Sequence, residues 1–339
     1  MRRVVVLGGL GFFGRAAVAR LRADGFRPLT ASRSPAADLR LDLAEPNSLR
    51  GALRAGDVVV DTAGPFQERT TALVEAALEM GFDLIDISDS LAYVSRLYRL
   101  QAQIEAAGIR VLTACSSVSA VGAALIRLSG LEPARVVGVL AAATRATAQP
   151  GSARSLLHSV GRPVRLLRDG RLVTRVGWRE SQRFRLPPPL GALRGYLYEC
   201  PDPLTMRRVW PGLRAAEFYV DTRVPGLNAL LALAARWRSL RRLVERLQSP
   251  GLALARLLGA KAGCLAYGIE GQDGRVARYA LLASDRAYLT AIAPAVLAAR
   301  AIAAGRFVGR GLVPVDRHVE PAELLDYLRP LGVVAVRLA

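Results

Sequence analysis

Gly8-Gly9-Leu10-Gly11-Phe12-Phe13-Gly14 stands directly after the apolar run of residues 3–7. It opens a stretch with helical spacing, Ala17, Val18 and Leu21, that closes at Gly25. Gly9, Gly11 and Gly14 satisfy G-x-G-x-x-G, with Leu10, Phe12 and Phe13 at the variable positions. Alone, such a hexapeptide is a glycine-rich turn. Between a strand and a helix it acquires a mechanism. The first glycine permits the tight turn, the second lets the backbone approach a pyrophosphate, and the third allows close packing of helix on strand. The phosphates would rest on amides at the helix start, where unpaired N–H groups and the helix dipole favour negative charge.

Working outward, apolar runs at residues 27–32, 38–43, 57–62, 84–87 and 109–114 predict further strands. Helical patterns at 14–24, 70–80 and 91–107 alternate with them. This alternation is the pattern of βαβ units and a doubly wound parallel sheet. After Gly130 the texture changes. A strand is expected over 136–144, and Arg168-Asp169-Gly170 and Gln272-Asp273-Gly274 read as hairpin turns, the second joining strands at 264–270 and 275–283. Pro187-Pro188-Pro189 marks a loop. Helices are expected over 227–248, 252–258, 290–304 and 321–328. The expected fold class is therefore α/β. An N-terminal Rossmann domain with a doubly wound parallel sheet (1–131) is followed by a second, mixed α/β domain (132–288) and a C-terminal helical segment (289–339).

The end of the second strand bears on the cofactor. An NAD-binding domain usually places an acid there for the ribose 2′-hydroxyl. This chain has Ala31-Ser32-Arg33-Ser34, with no carboxylate to repel a 2′-phosphate and an arginine and hydroxyls to bind it. The reading is NADP. Asp42 either contacts the adenine amine or opens the next helix. Ala63-Gly64-Pro65-Phe66, after the fourth strand, brings the chain close to the cofactor.

Composition narrows the remaining classes. Of 47 basic residues only Lys261 is a lysine, and the net charge is +19. Arginine is a poor proton acceptor but a good partner for phosphates and carboxylates. The arginines are scattered and no basic block is interleaved with aromatics, so neither nucleic acid nor an anionic membrane surface is the expected partner. Three cysteines make no disulfide framework, and two histidines, His158 and His318, make no metal-ligand spacing. No metal is expected. The N-terminal apolar run leads straight into the glycine loop and reads as a strand rather than a signal peptide, and no run is long and apolar enough to span a bilayer. The expected location is the cytoplasm.

The chain resembles the saccharopine dehydrogenase-like family of oxidoreductases. The resemblance rests on residues 8–14, on Asp61-Thr62-Ala63-Gly64-Pro65-Phe66, on Phe82-Asp83-Leu84-Ile85-Asp86-Ile87-Ser88-Asp89, and on Ala114-Cys115-Ser116-Ser117-Val118. The Glu270-Gly271-Gln272-Asp273-Gly274 hairpin and the Ala/Leu-rich helix after it add to it. It implies an N-terminal NADP-binding domain, a middle mixed α/β domain for substrate and dimerisation, a C-terminal segment packing back on the first domain, and a homodimer. Many relatives have proline after the Ser-Ser-Val stretch, where this chain has Ser119. The glycine spacing also resembles that of short-chain dehydrogenases. The Tyr-x-x-x-Lys pair of those enzymes is missing here, since Leu257 stands four before Lys261.

Hydride chemistry belongs to a cofactor, and the protein has to position a small-molecule substrate and manage a proton. His158 is the acid/base candidate if it faces the cleft. Asp89, after the fifth strand, either orients a substrate amine or caps the next helix. Arg145 and Arg154, flanking Gln149-Pro150-Gly151, are candidate carboxylate clamps, and Ser116 a candidate pocket residue. Cys115 lacks a partner base and reads as packing. The expected activity is NADP-dependent hydride transfer to or from an imine, an amine-linked amino acid or a related carbonyl compound. The alternative is an NADP(H)-binding sensor or scaffold without chemistry.

Overall fold

The computed structural model describes residues 1–338. It divides into two units, residues 1–121 with 291–320, and residues 122–290 with 321–339. In the first unit the strands run β1 (Val4–Leu7), β2 (Leu29–Ser32), β3 (Leu39–Arg40), β4 (Val58–Asp61), β5 (Asp83–Asp86) and β6 (Arg110–Leu112). Every pairing is parallel, in the order β3-β2-β1-β4-β5-β6. Val4–Leu7 and Val58–Asp61 are buried throughout. That burial explains their unbroken apolar runs, because helices cover both faces of such a sheet. β1 lies between β2 and β4, so the winding reverses there and leaves a crevice at its carboxyl end. The helix Phe12–Ala23 buries Gly14, Ala17, Val18 and Leu21 against the sheet.

The second unit contains β7 (Pro133–Ala141), β8 (Pro163–Arg168), β9 (Arg171–Val176), β10 (Ser181–Leu186), β11 (Gly191–Tyr198), β12 (Ala215–Asp221), β13 (Gly263–Gly271) and β14 (Val276–Ala283). β15 (Gly311–Leu312) then pairs parallel with β6, and β16 (Val334–Leu338) antiparallel with β14. The second sheet runs β10-β11-β12-β7-β13-β14-β16, with β8 and β9 attached at β12. It is mixed, since β7 and β12 are parallel and its other pairs antiparallel. Both expected hairpins form. At the first, Asp169 and Gly170 have φ of 50° and 73°, as a tight two-residue turn requires. Arg168 fastens β8 to β12, donating from Nε and Nη2 to Glu217 at 3.0 and 2.9 Å and from Nη2 to Glu180 at 2.7 Å.

Several boundaries differ from the sequence reading. The third strand shrinks from 38–43 to two residues, because Asp38 ties its carboxylate to Thr30 and the Asp42 amide turns to the Ser48 hydroxyl. The expected helix 91–107 is two helices meeting at Leu100. The expected helix 227–248 breaks at Trp237, whose backbone is extended. Arg179 donates to the Ala235 carbonyl at that break. Neither break carries glycine or proline, so periodicity ran across both. The helix Ala120–Ser129, the strand β12 and the pair β10–β11 were not anticipated. Only residues 291–320 of the C-terminal segment belong to the first unit; residues 321–338, with β16, belong to the second.

Candidate functional site

The three glycines are under unequal constraint. A Cβ on Gly14 would stand 2.0 Å from the Gly8 carbonyl oxygen, so the helix can approach β1 this closely only with hydrogen there. A Cβ on Gly9 would meet Thr30 and the Val6 carbonyl at 2.9 Å. Gly11 is exposed at the helix mouth, where a Cβ would meet only the Gly8 carbonyl, at 3.0 Å. It is the helix N-cap, without a side-chain cap, and the first turn holds no acid. A bare, uncapped helix start facing the crevice end of β1 suits an anion. The residues present therefore fit a dinucleotide pyrophosphate.

At the end of β2 the Ser32 Oγ accepts the Ser34 amide at 3.1 Å. Arg33 is exposed and pairs with no acid among the described residues. Asp38, the nearby carboxylate, accepts both the amide and the hydroxyl of Thr30, at 2.8 and 2.7 Å. Those hydrogen bonds hold its pKa below the usual carboxylate range. Asp42 accepts the Ala44 amide at 3.0 Å in a local turn, and the next helix, Pro46–Ala52, starts beyond it with Glu45 as its N-cap, so Asp42 does not cap that helix.

The loop after β4 lies against the glycine loop. A Cβ on Gly8 would be 3.0 Å from the Ala63 Cα, and Thr62 Oγ1 donates to the Leu7 carbonyl at 2.7 Å. Gly64 is exposed and Pro65 half-buried. Phe66, expected at the cofactor, instead turns inward and is buried against Tyr93, ring centroids 5.5 Å apart. Sequence reasoning missed what holds this loop. Arg69 binds Asp61 with Nη2 at 2.8 Å and the Ala63 carbonyl with Nη1 at 2.7 Å. Asp61 is fully buried.

Asp86, at the end of β5, is also fully buried, and its Oδ1 accepts the amides of Ser88 and Ala114, each at 3.0 Å. Burial pushes its pKa up to about 7 against the pull of those amides. The signal for both acids was legible, since two buried strands each close on an aspartate. The alternatives for Asp89 separate. Ser90 caps the helix Leu91–Arg99 through the Tyr93 amide, while Asp89 is half-buried and accepts from Gln67 Nε2 at 3.1 Å. Ser116 is buried and donates to the Ala291 carbonyl at 2.9 Å. The Cys115 thiol is fully buried, and burial raises its pKa well above the ordinary value. Ser119 has φ of 64°. Proline, fixed near −65°, could not occupy that position.

The remaining candidates lie in the second unit. His158 is exposed, with Nδ1 3.4 Å from Arg162. Arg145 donates to the carbonyls of Gly259 and Leu257 at 3.2 and 3.1 Å, stapling the end of the helix Gln248–Leu258. Those bonds occupy the guanidinium that the sequence reading offered to a substrate. Arg154 is exposed. Among the described residues no cluster of His, Cys, Asp or Glu could hold a metal, and no helix is long and apolar enough to cross a membrane.

Sheet order and crevice define a Rossmann-type architecture. No family model matches the chain. Apo saccharopine dehydrogenase (L-Glu forming) from Saccharomyces cerevisiae superposes over all of both chains with a TM-score of 0.63 at 16% identity. The chain thus has a saccharopine dehydrogenase-like fold. GenD2 from gentamicin A biosynthesis, in complex with NAD, covers 100% of this chain and 97% of its own at 15% identity, but its TM-score of 0.44 is too low to bear on either fold or function. A lipid droplet localized protein of Caenorhabditis elegans is 32% identical over 83 residues, which is 24% of this chain and 20% of that relative. The matched stretch is a fifth of that protein's length.

Proposed function

We propose that this chain is an NADP-dependent oxidoreductase acting on an imine, an amine-linked amino acid or a related carbonyl compound. The observation that carries the reading is the bare helix start at residues 11–14, set at the carboxyl end of β1, with Arg33 exposed and unpaired beside it. The saccharopine dehydrogenase-like fold supports the reaction class. When bound, the nicotinamide supplies or accepts hydride. The chain's own residues do the rest. Gly11, Phe12 and Phe13 present amides to the pyrophosphate, with Leu10 shaping the turn. Ser32 and Arg33 hold the 2′-phosphate. Ala63, Gly64 and Pro65 shape the neighbouring wall. Asp89, held by Gln67, orients the substrate amine or moves its proton. The first unit carries the cofactor, and the second carries substrate contacts and a homodimer interface.

The test is cofactor binding by fluorescence titration. NADPH should bind more tightly than NADH. Arg33→Ala should weaken NADPH by roughly 10- to 100-fold, the worth of a charge-assisted hydrogen bond, and leave NADH unchanged. Equal affinity for the two cofactors in the parent protein contradicts the NADP assignment. A second reading, an NADP(H) sensor without chemistry, is favoured by the exposure of His158 and the stapled Arg145. Tight NADPH binding without oxidation by any amino-acid imine or carbonyl compound would select it.

A further inference from the structure

Fourteen large apolar side chains are exposed among the described residues, and eight fall within residues 230–258. This stretch forms three consecutive, mutually packed helices, Leu227–Ala234, Arg238–Arg246 and Gln248–Leu258. One face of each is seated in the second unit. Leu231, Ala234, Leu240 and Val244 pack around the buried Trp178, and Ala255 packs with Ala148 and Val224. A second apolar surface remains outside. The first helix exposes Leu230 and Leu233, and the break after it exposes Trp237. The second exposes Leu243, followed by Leu247, and the third exposes Leu254, Leu257 and Leu258, the last 47% and Leu257 70% accessible. A soluble helix ordinarily shows one apolar stripe and one polar face.

Charge accompanies this surface. The segment 227–258 holds six arginines and one acid, Glu245. Arg238, Arg242 and Arg246 recur at four-residue spacing, so they form one exposed row along the second helix. Leu243 lies one position past Arg242 and follows that row around the helix. Glu245 is already paired with Arg162 at 2.9 Å.

We infer that these three helices form a docking face for an anionic phospholipid surface. Short helices with exposed leucines, a tryptophan at the junction and arginines alongside have the composition of segments that lie in a membrane interface without crossing it. A second copy of the chain fits poorly, since a two-fold contact would bring the arginine row near itself and the segment's one acid, Glu245, already pairs with Arg162. Nucleic acid would meet the arginines but offer the leucines nothing. The arginines are scattered along the sequence, yet six of them fall in this segment beside the exposed leucines.

The test is flotation of the full chain with phosphatidylcholine vesicles, with and without phosphatidylglycerol. The protein should float with the anionic vesicles only, and added salt should weaken binding. Of the three tryptophans, Trp178 and Trp210 are buried, so a blue shift on binding reports Trp237 and should vanish in Trp237→Phe. The triple variant Arg238→Gln, Arg242→Gln, Arg246→Gln should bind about a hundredfold more weakly, at roughly fivefold per arginine near the surface. A second triple variant, Leu243→Ser, Leu254→Ser, Leu257→Ser, should also fail to float. All six positions are exposed, and circular dichroism checks that both variants stay folded. Failure to float with anionic vesicles overturns the inference. So does equal binding to neutral ones, or a lipid-free dimer in light scattering that buries Trp237. Binding of RNA in preference to vesicles assigns the face to nucleic acid and overturns it too.

Discussion

Asp86 carries a fully buried ionisable group, and the consequence is a pH dependence with a definite sign. Its folded pKa is raised from 3.8 to about 7 by burial. Protonation therefore favours the fold fully below about pH 4, and that stabilisation is lost as pH rises to 7, by on the order of 3–4 kcal/mol. His318 works oppositely. It is buried with Nε2 3.1 Å from the Val313 carbonyl, and burial lowers its pKa from 6.5 to about 4. Its stabilisation is present above pH 6.5 and lost as pH falls to 4. The two slopes partly cancel in the parent protein. Asp86→Asn keeps an oxygen for the Ser88 and Ala114 amides and removes the acid. The difference in stability between variant and parent should rise in the variant's favour from pH 4 to 7, a comparison from which His318 drops out. Urea melts across that range measure it, and a constant difference means Asp86 does not titrate there.

At the scale of elements, the loop after β4 depends on one ion pair. Arg69 reaches both Asp61 and the Ala63 carbonyl, so one side chain closes the strand end and fixes the backbone that abuts Gly8. Replacing it with methionine leaves Asp61 buried and unpaired, at a cost of about 3–5 kcal/mol. The double variant Asp61→Asn, Arg69→Met should recover a large part of that loss in denaturant unfolding. If both variants lose the same stability, the pair is not the source. The sequence displayed both residues but not their pairing. Asp61 was legible as the end of a strand, whereas Arg69 is one of 46 arginines, and only the path of the loop selects it. The same limit applied to Arg145, which reads as a carboxylate clamp and acts as a helix staple.

For the whole molecule, the proposals place two ligands on different units, which makes them separable. NADPH at a hundred times its dissociation constant should raise unfolding free energy by about 2.7 kcal/mol if that unfolding is coupled to loss of the site. Its hydrogen-exchange protection should fall on residues 8–14, 32–33 and 61–66. Anionic vesicles should protect residues 227–258 instead. Protection of that helical segment by NADPH alone contradicts this division of roles.

The sequence by itself determined the parallel sheet, the glycine turn, both hairpins and the absence of an acid at the end of β2. Those features are written locally, in runs of buried residues, in turn chemistry and in glycines whose spacing carries the packing demand. Only the tertiary structure decided the rest. It turned Phe66 inward, gave the helix cap to Ser90 and so freed Asp89 from that duty, joined Arg69 to Asp61, and broke two helices where no glycine or proline stands. It also set Trp237 and seven leucines outside. Burial and ion pairing depend on which distant segments meet, and a chain this rich in arginine and leucine offers too many equivalent partners for spacing alone to choose among them.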